Sequence, residues 1–255
     1  METLQGTRSF CGIVILTAAL LATACKKDDH HSPQRSPCRV YQLTGNIDFD
    51  QDTITITYNN KGNPVEMNRT YIGTGRPRYV FRYDKHDRLT DLIGLYDHPT
   101  SYEVRFRFAY DFKNRISSDT QYVIGNLGDP DWPEYINEYT YDASDRIVQL
   151  RHRSLLSPDA RWTSNYHYNQ AGNLEKVTDE YGAEVFRFTY GDKVNVNSLH
   201  PLWQFLSRDY SRNNSDVALA YNDKGLPTEL AQGAKFSSYF ANLQFAQMKI
   251  IYQCR

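Results

Sequence analysis

Between residues 102 and 116 the chain reads Tyr-Glu-Val-Arg-Phe-Arg-Phe-Ala-Tyr, then Asp-Phe-Lys-Asn-Arg, then Ile, and this arrangement returns along most of its length. Tyr102, Val104, Phe106, Phe108 and Tyr110 share one phase of a two-residue period, while Glu103, Arg105 and Arg107 share the other. That is the pattern of a strand with one buried face. After Tyr110 the alternation stops. Asp111 offers a side chain that folds back on its own backbone at the first turn position, and Asn114 tolerates positive φ at the fourth, as a type I turn with a bulge requires. Related turns follow Tyr58, Tyr83, Tyr141, Tyr168 and Tyr221, with Gly62, Asp87, Asp145, Gly172 and Gly225 at the fourth position. Gly, Asn and Asp reach positive φ at least cost, so the restriction has a backbone cause. An apolar residue two positions on, as at Leu89, Ile116, Ile147 and Leu174, opens the return strand.

Other strands keep the phase: Ile54, Ile56 and Tyr58; Tyr79, Phe81 and Tyr83; Tyr135, Tyr139 and Tyr141; Trp162, Tyr166 and Tyr168; Phe186, Phe188 and Tyr190; Val217, Leu219 and Tyr221. No single hairpin can bury its own apolar face, so neighbours must cover it. The expected fold is all-β: an antiparallel meander of hairpins, curled or closed into a barrel-like sheet, with one short helix. The helix is expected over 197–206, where Leu199, Leu202, Trp203 and Leu206 recur at helical steps, Asn197 or Ser198 can cap, and Pro201 suits a first turn. A proline-bearing insertion at 125–135 and a degraded unit at Tyr190-Gly191-Asp192 interrupt the rhythm.

The unit Tyr168-Asn169-Gln170-Ala171-Gly172-Asn173-Leu174, with Arg88, Arg115 and Arg146 at the arginine position of other units, resembles the YD repeats of the RHS and teneurin superfamily. Asp87, Asn114 and Asp145 depart from that family's glycine. Together with the N-terminal segment described next, the chain resembles Bacteroidota lipoproteins that carry such repeats, for which the resemblance implies a porin-like, many-stranded β fold and is nearly silent on activity.

The apolar, uncharged stretch 12–24 is shorter than the ~20 residues that span a bilayer and fits the core of a secretory signal. It runs through Ala22, Thr23 and Ala24 into Cys25, which resembles a lipoprotein signal whose cysteine is acylated and becomes the mature N-terminus. An ordinary cleaved secretory peptide is the alternative. Lys26, Lys27, Asp28 and Asp29 resemble a surface-export signal, or form a charged tether. The chain therefore divides into a signal peptide (1–24), a flexible tether (25–37) and a β domain (38–255). Of the four cysteines, Cys11 leaves with the signal and Cys25 takes lipid. Cys38 and Cys254 stand at the first and last strands, as a disulfide worth roughly 5 kcal/mol on a chain-entropy model or as two free buried thiols.

With a net charge of −1 and arginines interleaved with aromatics, the chain has no basic patch for nucleic acid. Arg78, Arg82, Arg105, Arg107 and Arg187 read as solvated strand residues. No catalytic motif is present, the histidines are scattered, and no cofactor or metal is assigned. Asp129, Asp131 and Glu134 offer oxygen ligands of the calcium type, but solvated acids in a proline-bearing loop are the commoner arrangement. The same loop carries Trp132 and leads to Tyr135, and a second connection leads to Trp162. Aromatic faces beside the carboxylates of Asp129 and Asp131 suit sugar or peptide binding, and packing beneath their own loops is the alternative.

The expected protein is lipid-anchored at the outer membrane, facing the cell surface, and is a binding or interaction module for a glycan, an apolar ligand or a protein. It is not expected to be an enzyme, with a surface glycan hydrolase as rival and a structural shell as a third reading. A porin that faces lipid is disfavoured by the charges on the outward phase of the strands. Replacing Cys25 with Ser should abolish incorporation of a clickable palmitate analogue and release the protein from the membrane fraction. Labelling that persists in Cys25→Ser would remove the anchor.

Overall fold

The computed structural model describes residues 38–47, 50–98, 100–129, 132–231, 239–241 and 243–254. Cys25 and Asp131 lie outside the described residues. The chain opens with β1 (Cys38–Ile47), β2 (Asp50–Tyr58) and β3 (Pro64–Arg69). A long meander follows: β4 (Arg78–Tyr83), β5 (Leu89–Leu95), β6 (Ser101–Tyr110), β7 (Ile116–Asn126) and β8 (Pro133–Tyr141). It continues through β9 (Ile147–Ser154), β10 (Arg161–Tyr168), β11 (Leu174–Thr178) and β12 (Glu184–Arg187). Then come β13 (Tyr190–Val194), a 3-10 turn (Val196–Leu199) and the helix α1 (Pro201–Ser207). The chain ends with β14 (Asn213–Ser215), β15 (Ala218–Tyr221), β16 (Pro227–Ala231), β17 (Tyr239–Phe240) and β18 (Leu243–Cys254).

One 16-stranded antiparallel sheet runs from β12 back to β1 strand by strand, then on to β18, β16 and β15, with β17 attached to β18. Strands β13 and β14 form a separate pair. The last long strand thus lies against the first, and a disulfide joins the register partners Cys38 and Cys254.

Each turn closes in the same way. The Asp84 carboxylate accepts the backbone N–H groups of His86 and Arg88 at 2.8 and 3.0 Å, and Asp87 sits at φ 61°. Asp111 and Asp142 repeat those bonds, and so do Asn59 and Asn222. The Arg88 backbone N–H, with the Arg88 side chain and the His86 N–H, holds the Asp84 carboxyl down at about 2. A further turn of this type occurs at Asp179, with Gly182 at φ 85°, where no tyrosine precedes it. Tyr190, expected to open a degraded turn unit, instead runs into β13 and pairs with Ser215.

The pre-turn tyrosines bridge neighbouring hairpins. The hydroxyls of Tyr58, Tyr83, Tyr110 and Tyr141 donate to the carbonyls of Val40, Pro64, Leu89 and Ile116 at 2.5 to 2.9 Å. Tyr190 and Tyr252 do the same to Leu174 and Pro227. In each case the accepting carbonyl lies just beyond the last paired residue of the two strands. The phenol therefore satisfies an acceptor that the ladder has abandoned. Tyr168 differs: among the described residues its buried hydroxyl reaches no strand carbonyl, and its polar neighbour is the Tyr210 backbone N–H.

On three successive turns a cation reaches the left-handed residue of the next. Lys61 meets Asp87 at 2.7 Å, Arg88 meets Asn114 at 3.3 Å, and Arg115 meets Asp145 at 2.6 Å. Arg88, Arg115 and Arg146 also lie over the rings of Tyr110, Tyr141 and Tyr168, 4.2 to 5.0 Å from their centroids. This explains why Asp or Asn stands where Gly is the easier backbone choice: those side chains are acceptors. Arg146 would next meet Gly172, which has nothing to accept with.

The apolar face of the sheet packs around α1. Trp203 is 1% exposed and meets Phe81 edge-on at 6.1 Å and Phe240 at 5.4 Å. Phe205 packs on Phe108 and Tyr139. One helix thus touches strands far apart in the sheet order, which requires the sheet to curl around it. Among the described residues the edge strands β12 and β15 do not pair with each other, so the curl stays open. His200, not Asn197 or Ser198, caps α1: its Nδ1 accepts the Leu202 N–H at 3.2 Å, and Pro201 occupies the first turn. Asn195 caps the preceding 3-10 turn.

Two expectations for the faces of β6 need correction. A bulge at Glu103 sets two β6 residues against one of β5, and Tyr102 leaves the phase of Val104. It joins Ile93, Leu95 and Tyr122 in a second apolar cluster on the opposite face. Arg105, expected to be solvated, is buried beside that cluster, where it pairs with Asp91 at 2.8 Å and lies over the Tyr122 ring.

Tyr110→Phe strands the Leu89 carbonyl and should cost about 1 to 2 kcal/mol, whereas Tyr168→Phe strands no strand carbonyl and should cost clearly less. Urea unfolding of the two variants measures this, and equal losses would refute the bridging role.

Candidate functional site

The two ends of the curled sheet face one another across a cavity of about 380 Å³. Alternation in β10 sends Trp162, Ser164 and Tyr166 into it, and Val177 and Phe186 come from β11 and β12. The opposite wall carries Leu230 of β16 and Phe245 of β18. Residues 206–209 at the end of α1 form a third side.

The segment after the helix is stitched to the start of β11. Asn173 and Asn213 exchange hydrogen bonds at 3.0 Å, and Ser211 Oγ accepts the Leu174 N–H at 2.9 Å. The Ser211 hydroxyl also bonds to that of Tyr190. Asp209, on the cavity wall, receives the side-chain amides of Asn195 and Asn197 on one oxygen and the Ser211 N–H on the other.

Arg208 is the C-cap of α1, at φ 52°, in the left-handed conformation that usually falls to Gly. It lines both this cavity and a smaller space of about 30 Å³ that also touches Phe108, Asp119, Asn137 and Tyr139. There Asp119, 2% exposed, accepts the Tyr139 hydroxyl at 2.5 Å and the Asn137 amide at 3.0 Å. With its nitrogen committed to Asp119, Asn137 presents its oxygen to His152 Nδ1 at 2.9 Å, so that nitrogen carries the proton. Burial pushes the Asp119 carboxyl up against the pull of Tyr139, Asn137 and Arg208. Burial likewise raises the Tyr139 and Tyr166 phenols and keeps them neutral. Arg208 stays charged: burial works against its cation, but Tyr139, Tyr166 and Asp119 outweigh it.

The aromatic candidates separate. Tyr135, His152 and Trp162 form a stacked column with centroids 5.2 and 4.9 Å apart, and Trp162 is 43% exposed at the cavity wall. Trp132 is 80% exposed and does not line the cavity. Asp129 is exposed and accepts from the Asn126 amide at 3.0 Å. Among the described residues no group of three acidic, histidine or cysteine side chains is placed to hold a metal ion.

Sequence reasoning missed Arg208, Asp119, Asn137 and His152. Asn137 was legible, because it shares the phase of Tyr135 and Tyr139 and is thus an inward polar residue. Asp119 was hidden by the bulge that sets Tyr110 opposite Ile116 and Ala109 opposite Ser118 and so changes the phase of β7. Arg208 gave no local signal beyond standing where a helix usually places Gly.

Burial, and then the Arg208 charge, depress the His152 pKa below its ordinary value. A proton NMR titration should place the His152 midpoint below about 6.5, and Arg208→Asn should move it upward. A midpoint unmoved by that substitution would mean the guanidinium does not act on the ring.

No protein-family model and no curated protein matches this chain. Among solved structures it is similar to a porin-like protein from Bacteroides uniformis, at 9% identity over 87% of this chain and 99% of that one, with a TM-score of 0.39. It is similar also to part of the Photorhabdus luminescens Tc holotoxin pore, at 14% identity over 73% of this chain, with a TM-score of 0.33. TcdB2–TccC3 without its hypervariable C-terminal region is a third, at 15% identity over 76% of this chain, with a TM-score of 0.30. The chain spans 10% and 12% of the length of the last two.

Proposed function

We propose that the β domain is a small-ligand binding module, held at the outer membrane by lipid on Cys25 and turned toward the cell surface. The observation that carries the binding role is the cavity of about 380 Å³ between the sheet ends, a size within the range of about 300 to 1,000 Å³ typical of small-molecule sites. Its walls mix aromatic and aliphatic side chains with polar ones, several of them from the segments on either side of α1, so that shape can give affinity and hydrogen bonds orientation. Trp162 offers a partly exposed ring at the wall, backed by His152 and Tyr135, as a face for a sugar or an apolar body. The ligand is held and not transformed, since no recognisable catalytic motif stands in the sequence. The anchor rests on the leader at 1–24 and Cys25.

The test is a binding screen on the purified full chain carrying Cys25→Ser, using soluble glycans and a neutral apolar dye. Saturable binding to one class is expected, weakened roughly tenfold by Trp162→Ala and unchanged by Trp132→Ala. Absence of binding to both classes would overturn the proposal.

A further inference from the structure

We infer that the ligand of this cavity carries an anionic head group of several oxygens, seated against Arg208, on an apolar body that lies along Val177, Phe186, Leu230 and Phe245. The inference rests on the reading of the cavity as a ligand site and adds the chemical class of the ligand.

Both oxygens of Asp119 are taken, by the Tyr139 hydroxyl and the Asn137 amide. Both oxygens of Asp209 are taken as well, by Asn195, Asn197 and the Ser211 N–H. The protein's own donors thus hold both carboxylates in place. Arg208 differs: among the described residues no carboxylate stands within the 4.0 Å ion-pair distance of its guanidinium. Its neighbours are the phenols of Tyr139 and Tyr166, which are neutral, and Asp119, whose charge acts on it from beyond that distance while its oxygens hold Tyr139 and Asn137. A guanidinium offers five N–H donors in a planar fork and never gives up its charge in a protein. Held among aromatic walls without a paired carboxylate, it favours a guest that brings acceptor oxygens and negative charge.

Placement supports the same conclusion. Arg208 adopts a left-handed backbone that costs every residue but Gly and, less so, Asn, and it borders both internal spaces. A head group at Arg208 leaves the apolar lining of Val177, Phe186, Leu230 and Phe245 to the ligand's apolar portion. Carboxylate, phosphate and sulfate share the head-group chemistry.

The experiment compares decanoate, decyl phosphate, decanol and inorganic phosphate, by displacement of a neutral apolar dye and by calorimetry, on the full chain carrying Cys25→Ser. Decanoate or decyl phosphate should bind at least tenfold more tightly than decanol. Arg208→Asn, which suits the left-handed backbone but removes the charge, should erase that preference, while Arg208→Lys should retain part of it. Near-UV circular dichroism checks that both variants fold. Equal binding of decanol and decanoate, or a preference that survives Arg208→Asn, would overturn the inference and leave the cavity reading intact. Inorganic phosphate that binds as well as decyl phosphate would overturn the apolar half. If neither the dye nor any amphiphile binds, the cavity reading itself fails.

Discussion

The sheet depends on a bond made where its ladders end. Antiparallel hairpins laid side by side diverge near their turns, and the carbonyl that opens each return strand is then left without a strand partner. A pre-turn tyrosine meets that carbonyl with its hydroxyl, as Tyr83 does at Pro64, Tyr110 at Leu89 and Tyr141 at Ile116. Its ring stays on the apolar face with the core. One side chain thus contributes apolar burial, an edge hydrogen bond and, where an arginine lies above it, a cation–π contact. Strands too short to be stable in isolation become a continuous surface because each is tied to the next at the same height.

That surface curls, and the consequences are concentrated where it fails to close. The disulfide and the pairing of β18 with β1 hold the chain ends together near the middle of the strand order, not at its edges. The free edges β12 and β15 are left to approach each other without pairing. α1 fills part of the interior through Trp203 and Phe205, and the space beyond its C-terminus becomes the cavity. The polar residues there, Arg208, Asp209, Asn195 and Asn197, belong to the segment that breaks the repeat. The regular units build the wall, and the irregular insertion furnishes it.

Much of the architecture was legible. Two-residue alternation marked the strands, and the Asp or Asn followed by a left-handed residue marked the turns. Leu199, Leu202, Trp203 and Leu206 marked the short helix, although its cap proved to be His200. Bulges misled the reading, because one extra residue reverses every side chain beyond it: Tyr102 was assigned to the wrong face, and the inward direction of Asp119 went unseen. Arg105 misled for a related reason. Its outward position was correct, but the outer face has an apolar cluster of its own, and the arginine is buried beside it with Asp91.

By itself, the sequence determined that this is an antiparallel meander of tyrosine-marked hairpins interrupted by one short helix. Both signals are local: the phase of side chains along a strand and the cost of positive φ in a turn depend only on near neighbours in the chain. Only the tertiary structure decided that Trp162 of β10, Leu230 of β16 and Arg208 after α1 share one cavity while Trp132 stands away from it. The curvature of a sheet accumulates over many strands and bulges, so which distant residues meet across its interior is written in no single stretch.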